Sequence, residues 1–161
     1  MNEDEKYIQR CIDLAYLGQG KVAPNPMVGC VIVKDGIIIG EGYHENFGGS
    51  HAEINAIRNV GNDAAIQGAT IFVSLEPCTH FGKTPPCTLA ILALKPKRVV
   101  IGSRDTNPSV AGKGIDRLKR EGIEVVEGIL EEECRALNKR FFTFHEKRRP
   151  YVILKWAQTK D

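Results

Sequence analysis

A histidine and two cysteines occur in the sequence at positions where they could share one metal ion. His51 stands at the expected start of a helix, Cys78 follows a buried apolar strand, and Cys87 follows two prolines at the start of another helix. One imidazole and two thiolates are a good donor set for zinc, and three protein ligands leave a fourth position for water. The pattern therefore predicts a catalytic zinc site, at which water becomes nucleophilic near neutral pH.

Glu53 supplies the acid–base group that such a site needs. It follows His51 by two residues, and from the first turn of the helix its carboxylate can reach a ligand on the metal. There it would take a proton from water and deliver it to a ring nitrogen and then to a leaving amine. His-x-Glu, followed by Pro-Cys and a second Cys, is the signature of the zinc nucleobase deaminases.

Each of these four residues also has a simpler structural explanation. Ser50 and Glu53 have the spacing of a capping box, so the glutamate could serve only the start of the helix. The histidine could be a partly exposed polar residue, and the two cysteines could be buried thiols. A non-enzymatic alternative is a zinc-stabilised binding module, in which His44 or His80 closes the site as a fourth ligand. Replacing the glutamate by glutamine would separate an enzyme from such a module.

The spacing between the two cysteines is unusual. Deaminases of cytidine, adenosine and deoxycytidylate usually carry Pro-Cys-x-x-Cys, whereas Cys87 lies nine positions after Cys78. The intervening loop contains His80 and Lys83, two groups suited to a polar substrate. We therefore expect this loop to take part in binding the substrate.

Hydrophobic periodicity and turn residues predict alternating helices and strands around these residues, in the order α-β-β-α-β-α-β-α-β-α with a final β. The predicted ranges, in chain order, are 4–17, 28–34, 37–43, 50–60, 70–74, 87–94, 98–102, 115–121, 124–127, 131–145 and 151–156. This order favours an α/β fold with a mixed, mostly parallel sheet, an antiparallel edge and helices on both faces. Sites in such sheets form beyond the carboxyl ends of the strands, so the loops after Tyr43, Ser74 and Gly102 should meet.

The composition narrows the class of protein. The 161 residues carry a net charge of +2, which is too weak to indicate a nucleic-acid partner. No apolar run is long enough for a membrane span, so no membrane partner is expected. Five cysteines, an odd number, argue against a disulfide framework and favour a reducing, cytoplasmic location. Cys11, Cys30 and Cys134 lie in apolar periodic segments and are predicted to be core residues.

The sequence resembles the N-terminal deaminase domain of the bifunctional riboflavin-biosynthesis deaminase–reductases. The resemblance covers nearly the whole chain, and the long loop between the cysteines is its most specific part. The matching stretches are PNPMVG at 24–29, GYH at 42–44, HAE at 51–53, EPCTHFGKTPPC at 76–87, DTNP at 105–108 and GKGI at 112–115.

This resemblance implies a three-layer α/β/α cytidine deaminase-like fold with a five-stranded sheet. It implies hydrolysis of 2,5-diamino-6-ribosylamino-4(3H)-pyrimidinone 5′-phosphate to 5-amino-6-ribosylaminouracil 5′-phosphate and ammonia. His51, Cys78 and Cys87 would hold Zn²⁺, and Glu53 would move protons. The residues expected to line the substrate site are Asn25, His44, His80, Lys83, Asp105 and Asn107. Other zinc deaminases, acting on a nucleoside, a nucleobase or a tRNA base, remain an alternative.

The resemblance also predicts a division of the chain. Residues 1–148 would form the deaminase domain, and residues 149–161 would be a linker and the opening strand of a reductase domain that is otherwise absent. NADPH would belong only to that missing domain, so we expect no reductase activity from this chain alone. Homo-oligomer formation is left open, because the sequence reveals no interface.

Overall fold

A computed structural model describes residues 1–81, 85–107 and 110–159. Its elements, in chain order, are α1 (Glu3–Tyr16), β1 (Gly29–Lys34), β2 (Ile37–Tyr43), α2 (Ala52–Val60), α3 (Asp63–Ile66), β3 (Thr70–Leu75), α4 (Cys87–Leu94), β4 (Arg98–Ser103), α5 (Lys113–Arg120), β5 (Glu124–Glu127), α6 (Glu131–Leu137) and α7 (Lys139–Lys147). No helix within the described ranges is long and apolar enough to cross a membrane.

The five strands form one mixed sheet in the order β2-β1-β3-β4-β5. β1 pairs antiparallel with both β2 and β3, whereas β3, β4 and β5 pair in parallel. Four strands therefore run in one direction, as predicted, and only β1 runs against them. The predicted antiparallel edge is confirmed, because the edge strand β2 pairs antiparallel with its hairpin partner β1.

Alternate residues of the strands pack on opposite faces and create two hydrophobic cores. Cys30 and Val73 belong to the core shared with α2, α4 and α5. Val31 and Phe72 belong to the core on the other face, which contains residues of α1 and Cys134 of α6. The predicted three-layer α/β/α fold is confirmed. The three cysteines assigned to the core, Cys11, Cys30 and Cys134, are buried there.

Local sequence signals account for several element boundaries. Asn2 and Glu5 form a reciprocal capping box at the start of α1. Asp35 and Gly36, which join β1 to β2, both have positive φ angles, of 49° and 77°. A two-residue hairpin turn of this kind requires that backbone conformation, for which glycine is well suited.

The carboxyl ends of β2, β3 and β4 reach the same edge of the sheet. Leu75 at the end of β3 pairs with Ser103 at the end of β4. Tyr43, the last residue of β2, pairs with Gly29 at the start of the reversed strand β1. The loops that follow these strands therefore leave the sheet on one side, as the strand order predicts.

The structure differs from the predicted elements in three places. The helix predicted over 131–145 is two helices, because the chain breaks at Asn138, whose φ and ψ are −113° and 30°. The short helix α3 was not predicted. The strand predicted over 151–156 is absent: residues 149–159, all of them described, contain neither helix nor strand and are exposed. The apolar side chains of that segment find no neighbouring strand in this sheet, and the two-domain division stays a prediction.

Candidate active site

Helix α2 presents His51 and Glu53 at the sheet edge. His51 has extended backbone angles and is the residue immediately before the helix. The helix packs very closely on β2, because a Cβ atom at Gly42 would lie 2.3 Å from the amide nitrogen of Ala56 and 2.6 Å from the carbonyl oxygen of Ala52. Glycine at this position therefore allows the helix to approach the strand and fixes where its first turn lies.

Cys78 and Cys87 come together although nine positions separate them. Cys78 lies shortly after β3, and Cys87 is the first residue of α4, directly after Pro86. The backbone amide of Cys87 donates a hydrogen bond to the Cys78 sulfur at 3.3 Å. The amide and hydroxyl of Thr88 both donate to the Cys78 carbonyl oxygen, at 3.2 and 3.1 Å. The start of α4 thus holds both thiols and favours negative charge on them.

The three predicted metal ligands form one cluster. His51 Nδ1 lies 3.6 Å from the Cys78 sulfur and 3.3 Å from the Cys87 sulfur. The three ligand atoms all lie within 4.8 Å of one another. This is the spacing and the nitrogen–sulfur chemistry that a tetrahedral zinc ion requires of three protein ligands.

The electrostatics of the two thiols also suit a cation. A hydrogen bond from the Cys87 thiol lowers the pKa of Cys78 to about 4, and the same bond, together with burial, raises the pKa of Cys87. The lowered pKa of Cys78 favours its thiolate form, which is the form in which a cysteine would hold a metal ion.

Glu53 is buried beside this cluster, with 4% of its surface exposed. Burial, the largest cause, and the nearby Cys78 together raise the pKa of its carboxyl group to about 6. The capping-box explanation of Glu53 is wrong. α2 begins after His51 rather than after Ser50, and the Ser50 hydroxyl instead accepts a hydrogen bond from Arg58 at 2.9 Å.

Asn25 and His44 form a connected pair next to the metal ligands. Asn25 Nδ2 lies 3.1 Å from His44 Nε2, and His44 Nδ1 lies 3.0 Å from the Ser50 carbonyl oxygen. The His44 ring meets the His51 ring edge-on, with a centroid distance of 5.6 Å. His44 is buried, and that burial lowers its pKa.

Asp105 and Asn107 lie in the loop that follows β4. The Asn107 amide donates to Asp105 Oδ1 at 2.7 Å. Asp105 is buried, which raises its pKa, while the hydrogen bond from the Asn107 amide acts in the opposite direction. His80 itself is exposed on the loop after Cys78. Lys83, the remaining predicted substrate residue, lies outside the described residues.

Two buried polar residues at the site edge were not predicted. Glu76 accepts four backbone hydrogen bonds from the loop after β4 and from the start of α5. Asn138 accepts from the Met27 amide at 2.8 Å and donates to the Met27 carbonyl oxygen at 2.7 Å. It thereby holds the loop that carries Asn25. The only sequence signal for Asn138 is a polar residue inside a helical pattern.

Comparisons with known proteins agree with this site. Residues 1–103 match the family model for the cytidine and deoxycytidylate deaminase zinc-binding region. The chain is 53% identical over 136 residues to a diaminohydroxyphosphoribosylamino-pyrimidine deaminase of Buchnera aphidicola, covering 84% of this chain and 91% of that protein. It is 52% identical over 158 residues to the riboflavin biosynthesis protein RibD of Actinobacillus pleuropneumoniae, covering 98% of this chain and 42% of that protein.

A solved structure shows similarity to the same group of deaminases. The crystal structure of a diaminohydroxyphosphoribosylaminopyrimidine deaminase/5-amino-6-(5-phosphoribosylamino)uracil reductase from Thermotoga maritima superposes with a TM-score of 0.87 at 52% identity, covering 92% of this chain and 42% of that one. The chain thus spans about two fifths of these longer relatives. It belongs to the cytidine and deoxycytidylate deaminase zinc-binding family, and its resemblance to the deaminase domain of the riboflavin-biosynthesis deaminase–reductases is confirmed.

Proposed function

We propose that this chain hydrolyses the 2-amino group of 2,5-diamino-6-ribosylamino-4(3H)-pyrimidinone 5′-phosphate. The products would be 5-amino-6-ribosylaminouracil 5′-phosphate and ammonia. The observation that carries the proposal is the cluster of His51, Cys78 and Cys87 with the buried carboxyl group of Glu53 beside it. The similarity to the Buchnera protein, whose name states this deaminase activity, supports the choice of substrate.

His51, Cys78 and Cys87 would hold the zinc ion. When bound, zinc lowers the pKa of water, so that a nucleophile is available near neutral pH. The protein contributes the geometry: α2 fixes the imidazole, and the start of α4 fixes both sulfurs. Only three side chains of the described residues converge in this group, which leaves a position for water and substrate.

Glu53 would move the protons. Attack of water at C2 forms a C–O bond, and departure of ammonia breaks the C–N bond. The carboxylate takes one proton from the attacking water and passes it to a ring nitrogen, where it stays. It then takes the remaining hydroxyl proton and gives it to the leaving amine as the C2=O bond forms. A pKa of about 6 suits both directions of transfer, since the group can accept and release a proton close to neutral pH.

Asn25 and Asp105 would bind the pyrimidinone ring and its substituents. The Ser50 carbonyl can only accept a hydrogen bond, so the proton of His44 sits on Nδ1, and Nε2 accepts from the Asn25 amide. This leaves Asn25 Oδ1 as an acceptor for an amine or ring N–H of the substrate. The Asp105 carboxylate is a second acceptor, and Asn107 offers both a donor and an acceptor.

His80 and Lys83 would bind the phosphate group. Lys83 is a point cation suited to phosphate, and His80 lies in the same inserted loop. We propose further that residues 1–148 are the deaminase unit, that residues 149–161 lead into a second domain, and that the free thiols function in a reducing cytoplasm.

The test is ammonia release from the diaminopyrimidinone ribosylamino phosphate by the zinc-loaded chain, with cytidine as a second substrate. Glu53→Gln should bind zinc and fold, yet lose nearly all activity. Glu127→Gln, which removes a surface carboxylate paired with Arg104 and Lys119, is the matched control and should retain activity. Turnover of cytidine alone would reject the substrate, and full activity of Glu53→Gln would reject the mechanism.

A further inference from the structure

We infer that Glu76 is a positioning residue, whose carboxylate keeps the substrate-binding loop after β4 in register with the metal-binding loop after β3. The inference rests on the proposed function, because that function identifies the substrate that the loop after β4 binds. It concerns a residue two positions before Cys78 that contributes no ligand to the predicted metal group.

The Glu76 carboxylate is almost fully enclosed by backbone amides. Its side chain is buried, with 4% of the residue exposed. Oε2 accepts from the amides of Asp105 at 3.2 Å and Gly112 at 2.9 Å. Oε1 accepts from the amides of Gly114 at 2.9 Å and Ile115 at 3.3 Å. One side chain therefore joins the predicted substrate residue Asp105 to the first turn of α5.

Only a carboxylate satisfies this arrangement. Within the described residues, the four groups that hydrogen-bond to the Glu76 side chain are all backbone N–H donors, and a carboxylate presents two oxygens that can accept from them. The donors at the start of α5 also form the positive end of the helix, which favours a negative side chain. A glutamine would turn an NH₂ group toward two of the four amides, so that donors would face donors.

The backbone around Glu76 makes this link stiff. The Glu76 amide donates to the Ser103 carbonyl oxygen at 2.9 Å, which ties the ends of β3 and β4 together. A Cβ atom at Gly114 would lie 2.3 Å from the Pro77 carbonyl oxygen, so α5 already touches the segment that leads to Cys78. A shift of either loop therefore displaces the other.

The metal ligands have separate support. Cys78 is held by hydrogen bonds from Cys87 and Thr88 at the start of α4, and His51 is placed by α2. None of these contacts involves Glu76. Loss of its carboxylate should therefore loosen the substrate side of the site and leave the zinc side in place.

The experiment compares Glu76→Gln with Asp4→Asn in the full chain. Asp4 makes a partly buried bidentate ion pair with Arg98, at 2.8 and 2.7 Å, at the opposite end of β4. Asp4→Asn should therefore destabilise the fold at a place that is remote from the site. For Glu76→Gln we expect full zinc content and a KM for the diaminopyrimidinone phosphate raised on the order of tenfold or more, with a smaller change in kcat. Hydrogen exchange at the Asp105 and Gly112 amides should be faster.

Asp4→Asn, the control, separates a general loss of stability from a displaced substrate-binding loop. Asp4→Asn should leave KM and the exchange of those two amides unchanged, whatever it does to the melting temperature. An unchanged KM in folded, zinc-bound Glu76→Gln would overturn the positioning role. If Glu76→Gln does not fold, Gly114→Ala tests the same link, because its Cβ pushes α5 away from Pro77. Gly114→Ala should likewise raise KM, and an unchanged KM there would also overturn the role.

Failure of the proposed function gives a different result. In that case the wild-type chain would not release ammonia from the phosphate substrate, and no KM could be compared. The amide exchange of Asp105 and Gly112 then decides the structural link alone. Faster exchange at both amides in Glu76→Gln, but not in Asp4→Asn, would support it, and equal exchange would reject it.

Discussion

The amide group of Asn25 and the imidazole of His44 are joined by a hydrogen bond of 3.1 Å. The other ring nitrogen of His44 faces the Ser50 carbonyl, so both ring nitrogens are engaged by protein atoms. His44 thus orients the Asn25 amide, so that Asn25 Oδ1 could accept a hydrogen bond from the substrate. The two residues predicted separately to line the substrate site form one unit.

Replacing His44 by Leu should therefore weaken substrate binding through Asn25. The half-buried Asn25 amide would lose its acceptor, which costs about 1.5 kcal/mol, and about 1.4 kcal/mol corresponds to tenfold in affinity. We expect KM to rise roughly tenfold with zinc content unchanged, as measured by steady-state kinetics and metal analysis. Asn25→Ala should give a similar KM, and the double variant should be little worse than either single one. Additive effects would show that the two residues act independently.

Loss of the metal should abolish activity in a way that depends on specific thiols. Cys78→Ser should lose stoichiometric zinc and activity, since a hydroxyl does not replace a thiolate ligand. Cys134→Ser changes a buried thiol in the core around α1 and α6 and should retain both zinc and activity, although its stability falls. Chelation of the wild-type chain should remove activity, and added Zn²⁺ should restore it. Full activity with zinc shown to be absent would contradict a catalytic metal.

The three layers of the fold and the group of predicted metal ligands could be predicted, because both depend on patterns of neighbouring residues in the sequence. Alternation in β1 and β3 separates Cys30 from Val31 and Phe72 from Val73, which determines the two faces of the sheet. Cys78 and Cys87 could be told from the other cysteines because they lie outside apolar periodic segments. The strand order then predicted that the loops bearing the site residues would meet.

The remaining features depend on partners far away in the sequence. A hairpin shows that β1 lies beside β2, but not that β3 pairs with the other side of β1. Asn138 breaks a helical pattern because it binds the backbone of Met27, 111 positions earlier. Glu76 belongs to a recognised motif, yet its four partners lie 29 to 39 positions later. Neither periodicity nor spacing reports such contacts.

Asp105 and Glu127 should give opposite pH dependences of stability when each is replaced by its amide. Burial raises the pKa of Asp105, so its ionisation opposes folding, and the wild-type chain loses stability as the pH rises through that raised pKa. Asp105→Asn should therefore gain stability relative to wild type between about pH 4 and neutrality, while it weakens substrate binding. Thermal unfolding across a pH series measures this difference.

Glu127 is the control of opposite sign. Hydrogen bonding from Arg104, followed by that from Lys119, lowers its pKa, so its contribution to stability is present near neutral pH and disappears as the pH falls through the lowered value. Glu127→Gln should thus be less stable than wild type near pH 7, by roughly 0.5 kcal/mol for a largely exposed pair, and equal to it in acid. The same sign of pH dependence in both variants would contradict the assignment.

Asn138 should matter for both stability and substrate binding, because its side chain holds the backbone of Met27 in the loop that carries Asn25. Asn138→Ala removes an acceptor and a donor from a buried position and should lower the free energy of unfolding by about 2–4 kcal/mol. It should also raise KM, since the Asn25 loop loses its anchor. Asn138→Asp keeps the acceptor for the Met27 amide but places a carboxylate oxygen against the Met27 carbonyl, so it should be no better than Ala. Denaturant unfolding and steady-state kinetics measure the two effects. A destabilised Asn138→Ala with unchanged KM would show that the break between α6 and α7 serves the fold alone.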